Sequence, residues 1–444
     1  MIPPANSLPL GEMSEGQSGP KVLIITYYWP PAGGPGVQRW LKFVKYLPDF
    51  GVQPIVYAPE NPNYPIVDAS LLSEIPKSAI IIKQPINEPY TMAKWFSKSA
   101  KTISSGVIPK EKKQSSIQKL LLYIRGNFFI PDARKAWVKP SLAFLSEYIQ
   151  KEEIDAIITT GPPHSLHLIG LQLKQKLGVN WLADFRDPWT TIGYHKQLKL
   201  TKSSQEKHLK LEKEVLQTAD QIIVTSENTK CEFQHKTQKP ITVITNGYDV
   251  FNVPRVEKDT KFTVAHIGSL LSERNPNVLW NVLSELIKES EAFKTHFELK
   301  LIGVVSDDVI ASISESGLKS YVNVVGYVSH EEALKAQRQS QVLLLVEIDS
   351  EDTKAIIPGK LFEYMVSETP ILAIGPKNSD VERIIKNTNT GTYFYYDASA
   401  ILKNQVLSYF EAYQQSNLKT NPIGLQPYSR KALTKQLSEL IIKY

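Results

Sequence analysis

The chain alternates between short apolar runs and segments whose apolar residues recur at helical spacing. In the first half, runs at residues 22–26, 55–58, 80–82, 156–160, 181–185, 222–224 and 241–244 read as strands. After the first run comes a glycine- and proline-rich loop. It leads into a helix that gathers Val37, Trp40, Leu41, Val44 and Leu47 on one face. The second half repeats the rhythm, with strands expected at 262–267, 298–302, 322–325, 342–346, 371–374 and 392–395. Helices are expected to start near Pro276, Asp307, His330, Lys360 and Ser379. Short strands that are apolar on both faces, separated by amphipathic helices, imply parallel sheets covered on both sides.

At 444 residues the chain exceeds one compact core, and two α/β domains are expected. They are placed at 21–250 and 260–425, joined by the charged, proline-containing stretch 248–261. Residues 1–20 read as a disordered leader without the pattern of a signal peptide. Residues 426–444 read as a terminal helix that packs back on the first domain. Hydrophobic residues at 42% and charged residues at 22% are ordinary for a soluble protein. The single Cys231 excludes an internal disulfide framework and a cysteine-rich zinc site, and it fits a reducing compartment. No apolar run approaches the roughly 18 residues of a membrane span. A net charge of +6 does not call for a nucleic-acid partner, so the expected location is cytoplasmic.

One segment interrupts the alternation. Residues 90–137 are basic and aromatic, with Trp95, Lys98, Lys101, Lys110, Lys112, Lys113, Lys119, Arg125, Arg134 and Lys135 around the apolar run 120–124. An insertion of this size in an α/β domain suggests a surface for an acceptor, or peripheral contact with an anionic membrane at its inner face. A solvated helical excursion is the other reading.

Four constellations carry candidate chemistry. The loop from Tyr27 to Arg39 contains Gly33, Gly34 and Gly36 and feeds a helix, an arrangement suited to a phosphate; a tight turn without a ligand is the alternative. Its spacing is neither a Walker A loop nor G-x-G-x-x-G. The second constellation runs from Ile357 to Met365. Lys360 stands at a helix start, where a cation is unfavourable unless an anion shares the site. Glu363 either caps that helix or accepts from ribose hydroxyls. The third, from Gly268 to Pro276, offers Ser269 and Arg274 to a diphosphate. The fourth, Asp184-Phe185-Arg186-Asp187-Pro188-Trp189, lies at a strand's carboxyl end, where open sheets bind ligands. It reads as an active-site cluster with His164, or as a salt-bridge cluster tying strands together.

These residues resemble glycosyltransferase family 4, the retaining enzymes of the GT-B fold. The likeness rests on Gly34-Pro35-Gly36-Val37-Gln38-Arg39, Asn246-Gly247-Tyr248-Asp249, His266-Ile267-Gly268-Ser269, Leu301-Ile302-Gly303, Val325-Gly326-Tyr327-Val328 and Lys360-Leu361-Phe362-Glu363-Tyr364-Met365. The stretch from Asp184 to Trp189 is similar to a subgroup of bacterial surface-polysaccharide transferases. The resemblance implies two Rossmann-like domains facing across a cleft. The donor would be a nucleoside-diphosphate sugar, in the commonest case UDP-linked, and the acceptor a glycan or a lipid-linked glycan. It implies no metal and no cofactor beyond the nucleotide-sugar co-substrate.

By the same resemblance Gly34 and Gly36 would approach the donor from the first domain. Ser269, Arg274 and Lys360 would face its diphosphate. Gly303 and Leu361 would line the site, Gly326, Tyr327 and Val328 would meet the base, and Glu363 the ribose. The sequence departs from the family at two places. Ala355 stands where a second glutamate is common, and Arg186-Asp187 stand where many members carry a histidine. Asp184, Arg186, Asp187 and His164 are therefore the candidates for the reacting centre. Two further readings remain: a non-catalytic nucleotide-sugar-binding protein, and a nucleotide-sugar epimerase.

Overall fold

The computed structural model describes residues 19–88, 116–196, 198–249 and 256–443. The expected leader, most of the insert and the middle of the linker lie outside the described residues.

Two parallel sheets form the frame. The first contains β1 (Lys21–Ile25), β2 (Gln53–Pro59), β3 (Ile80–Gln84), β4 (Ala156–Gly161), β5 (Asn180–Phe185), β6 (Gln221–Val224) and β7 (Ile241–Val243). The second contains β8 (Phe262–Ile267), β9 (Phe297–Ile302), β10 (Val322–Gly326), β11 (Val342–Val346), β12 (Ile371–Ile374) and β13 (Gly391–Phe394). These strands fall where the apolar runs place them, and the five expected helices of the second half start within a residue of their marks. The central strands are buried end to end: every residue of β4, β6, β8, β11 and β12 is inside. Burial on both faces is why they read as continuous apolar runs.

The strand orders are β3-β2-β1-β4-β5-β6-β7 and β10-β9-β8-β11-β12-β13. Each order reverses once, between β1 and β4 in the first sheet and between β8 and β11 in the second. The loops diverge there at the carboxyl ends of the strands and open a crevice. The Gly-rich loop follows β1, and the loop from Gly268 follows β8, so both candidate loops border a switch point.

Helix Pro35–Tyr46 buries Val37, Trp40, Leu41 and Val44 on the sheet, and the terminal helix Arg430–Ile442 adds Leu433, Leu437 and Ile441 to the same cluster. The bridge Tyr248–Ser429 ties the end of the first domain to the start of that helix. Lys42 and Tyr46 both hold Asp249, at 2.8 Å each.

The described end of the 90–137 segment corrects its reading as one surface insert. Trp137 is buried and stacks on Tyr57 at 4.9 Å. Arg134 pairs with the buried Glu88 at 3.0 Å and covers the Tyr27 ring at 4.6 Å. These two residues belong to the core because they follow the helix Ser116–Phe128 back under the sheet. Exposed apolar residues remain on that helix, at Leu120, Tyr123 and Phe128. Among the described residues no helix is long and apolar enough to cross a membrane.

Candidate functional site

At the carboxyl edge of the second sheet three glycines adopt positive φ: Gly268 at +112°, Gly303 at +113° and Gly326 at +82°. They are linked by backbone bonds, Gly268 N–H to Ile302 O at 2.7 Å and Gly303 N–H to Gly326 O at 2.7 Å. A Cβ on Gly303 would lie 2.6 Å from Gly268 O, so the two turns pack too closely for a side chain. The Gly303 N–H is donated to the Gly326 carbonyl, so Gly303, expected to line the donor site, shapes the rim through its backbone.

Lys360 reaches this rim. A Cβ on Gly268 would sit 2.8 Å from its Nζ. Lys360 is half-buried, and among the described residues it makes no ion pair; its bonded neighbour is His266 Nε2 at 3.1 Å. Burial, with the Arg274 charge nearby, pulls the Lys360 amine down to about 7, against a smaller opposite pull from Glu363. The helix it opens, Lys360–Met365, is only six residues long. Its dipole therefore matters less than the sequence suggested, and the half-buried lysine without an ion-pair partner carries the argument for an anion.

Glu363 does not cap that helix. Its carboxylate accepts from His330 Nε2 at 3.1 Å and from Gln337 Nε2 at 3.1 Å, both on helix His330–Gln339. The hydrogen bond to Glu363 raises the His330 pKa. Arg274 closes the 3-10 turn Ser272–Arg274, and Ser269 is exposed beside it. Tyr327 is 90% exposed, so it offers its ring or backbone freely. Val328 packs against the core formed with Leu361 and Phe362. Leu361 itself is fully buried, and its N–H is donated to Pro358 O at 3.0 Å. Leu361, expected at the donor, thus turns its side chain into the core.

The sequence reading passed over Glu347, at the end of β11 and beyond. Both of its oxygens are buried against Ser379 Oγ at 2.8 Å and Tyr393 OH at 2.6 Å. Burial pushes its carboxyl up to about 7. A lone acidic residue after an all-apolar strand was the available signal.

In the first domain the fourth constellation divides. Asp184 turns inward and is fully buried. It accepts from Arg39 at 3.0 Å, Trp40 Nε1 at 3.1 Å and Thr160 Oγ1 at 2.8 Å. Arg39 also donates to Thr245 O at 2.7 Å. Asp184 is thus consumed in fixing helix Pro35–Tyr46 on the sheet, which corrects its candidacy for the reacting centre.

Arg186 turns the other way. Its guanidinium donates to the Pro162 carbonyl, lies 5.8 Å from the Tyr28 ring centroid, and fills the space that a Cβ on Gly36 would need. Gly34, at φ +106°, is the helix N-cap, and its carbonyl accepts from Val37 N–H at 3.1 Å. Asp187 is half-buried, and burial raises its pKa against the pull of Arg186. His164 stacks flat on Trp189 at 5.0 Å, and neither ring nitrogen has a partner among the described residues. Burial and the neighbouring His167 and Arg186 keep that imidazole neutral.

The two halves face each other closely. A Cβ on Gly359 would meet the Pro35 side chain at 3.9 Å, so the Gly-rich loop stands directly opposite the Lys360 turn. Asp380 of the second domain accepts from the N–H groups of Glu227 (3.2 Å) and Asn228 (3.1 Å) in the first. Pro35 adjoins Gly36 and Gly359 adjoins Lys360, so the Gly36–Arg186 contact and the Gly268–Lys360 contact lie at facing edges of one interdomain crevice. It can hold an anion at the Lys360 rim and a polar group beside Arg186. No group of three or more His, Cys, Asp or Glu among the described residues is arranged to hold a metal.

Comparison with known proteins places this geometry. Residues 106–250 match the family model described as Glycosyltransferase Family 4. No curated protein matches the sequence. A glycosyltransferase from Rickettsia africae is 14% identical at a TM-score of 0.58, over 96% of this chain and 99% of that one. The HepE protein of Anabaena, solved with UDP, is 13% identical at 0.56, over 95% of each chain. A variant of S. aureus TarM, solved with fondaparinux, α-GlcNAc-glycerol and UDP, is 13% identical at 0.54, over 95% and 99%. The shared architecture is the GT-B fold, two Rossmann-like domains facing across a cleft.

Proposed function

We propose that this protein is a retaining, metal-independent glycosyltransferase that moves a sugar from a UDP-linked donor to a glycan or lipid-linked acceptor. The observation that carries the reading is the half-buried amino group of Lys360, without an ion-pair partner among the described residues, at the Gly268 rim, opposite Gly36 and Arg186. A diphosphate at that rim supplies the missing countercharge. Lys360 and Arg274 then stabilise the charge that develops on the leaving diphosphate, in a site where their positions are already set. Glu363, held by His330 and Gln337, keeps lone pairs for ribose hydroxyls. The acceptor approaches from the first domain, where Arg186, Asp187 and neutral His164 offer polar contacts beside the sugar.

The match to the family model and the UDP seen in structures of the same fold support this assignment. Exposed Leu120, Tyr123 and Phe128, with Lys119 and Lys199 nearby, support a peripheral position at the cytoplasmic face of an anionic membrane. Such a position suits a lipid-linked acceptor in surface-polysaccharide synthesis. The decisive experiment measures release of nucleoside diphosphate from a panel of nucleotide sugars. Release from a uridine donor is expected. Donor binding without release from any donor would favour a non-catalytic nucleotide-sugar-binding protein.

A further inference from the structure

Strand β8 carries a histidine one residue before its end. His266 is fully buried at the switch point of the second sheet. Its Nδ1 lies 3.1 Å from Leu344 O on the neighbouring β11. A carbonyl only accepts, so Nδ1 carries the proton, and Nε2 is left as an acceptor. Facing Nε2 at 3.1 Å is Lys360 Nζ. The carbonyl of Ser269, 3.4 Å from Nε2, is itself an acceptor and cannot compete for that lone pair.

We propose that His266 is the positioning residue of the donor-diphosphate site: its neutral imidazole, fixed through Leu344, holds the Lys360 amino group at the Gly268 rim, where arrival of a diphosphate loads a proton onto it. This rests on the donor-site reading above and deepens it.

The geometry supports the inference in two ways. The ring can accept a hydrogen bond from Lys360 whether that group is an amine or an ammonium, so the amino group stays in place through the change. Among the described residues no carboxylate pairs with Lys360 at the rim. The titratable and charged groups that face Lys360 are His266 on β8, Arg274 on the turn Ser272–Arg274 and Glu363 on its own helix, with His330 beyond Glu363. Arg274 opposes the ammonium, and Glu363 is drawn toward His330. Burial and Arg274 hold the Lys360 amine down to about 7, and burial with the Lys360 charge holds His266 well below its usual range. Proton loading therefore falls to Lys360, and His266 stays neutral.

Calorimetry on the full chain tests this with UDP as the probe and uridine as the control. At about pH 8, in two buffers of different ionisation enthalpy, wild-type binding of UDP should take up a large fraction of one proton. Uridine binding should take up none. His266→Asn keeps a donor for Leu344 and has no acceptor within reach of Lys360. It should weaken UDP binding about tenfold and leave uridine affinity unchanged. His266→Gln, whose amide oxygen reaches toward Lys360, should recover most of that loss. UDP binding without proton uptake in the wild type overturns the inference without needing any variant, as does unchanged UDP affinity in His266→Asn. In both cases the donor-site reading survives, because UDP still binds. Failure of the wild type to bind UDP overturns that reading and this inference with it.

Discussion

The guanidinium of Arg186 occupies the volume that a Cβ at Gly36 would enter, so a side chain at position 36 requires that guanidinium to move aside. Gly36→Ala should displace Arg186 and the neighbouring loop. Turnover is expected to fall about a hundredfold, since small misplacements at a reacting centre have effects of that size. UDP affinity, set across the cleft, should stay within about twofold. Steady-state kinetics and UDP titration on the same preparation check the split.

Lys360→Met tests the anion site directly. Replacing a half-buried lysine that has no ion-pair partner should leave the domain folded and raise its resistance to urea. UDP affinity should drop by about two orders of magnitude, as expected for loss of a charge-assisted contact. Unchanged UDP affinity in a folded variant would refute the placement of the diphosphate.

The same lysine predicts a pH dependence. In the folded protein it titrates near 7, below its ordinary value of 10.5. Between these values the unfolded chain holds the extra proton, so this group's contribution to stability rises with pH. Below about 7 both states are protonated, and the unfavourable contribution is at its full, constant size. Wild type minus Lys360→Met, compared by urea midpoints from pH 6 to about 9, should show that rising slope. Saturating UDP should flatten it.

Asp184 and Arg39 form a structural pair, so their variants should fail by unfolding and not by altered chemistry. Asp184→Ala leaves Arg39 buried without its partner and should cost about 3–5 kcal/mol. Asp184→Asn keeps the shape and some hydrogen bonds, and it should cost less. Chemical denaturation ranks them. A stable Asp184→Ala protein without activity would restore Asp184 to the reacting centre.

The exposed apolar face of helix Ser116–Phe128 should bring the protein down with anionic liposomes at low salt. Binding should weaken as ionic strength rises and the Debye length shrinks. Leu120→Glu with Phe128→Glu should abolish sedimentation while leaving UDP affinity intact. No binding to anionic liposomes at low salt removes the membrane proposal and leaves a soluble acceptor.

Much of this protein could be read along the chain, and the reason is periodicity. Strands buried on both faces appear as unbroken apolar runs, so β1 through β13, the helix after β1 and five helices of the second half stood in the sequence near their observed places. Glycines after β8 and β9 and at the end of β10 marked backbone turns, and a lysine at a helix start marked an unusual cation. Partnership was not legible, because it depends on which strands become neighbours. His266 and Lys360 stand 94 positions apart and meet only because β8 lies beside β11 at the switch point. Asp184, Arg186 and Asp187 look equivalent in sequence. Only packing decided that Asp184 turns inward to Arg39, 145 positions away, while Arg186 turns toward Gly36. Local pattern determined the elements, since burial on a strand or helix repeats with the backbone's own period. The tertiary structure decided the chemistry, since a charge takes its role from whatever shares its dry space.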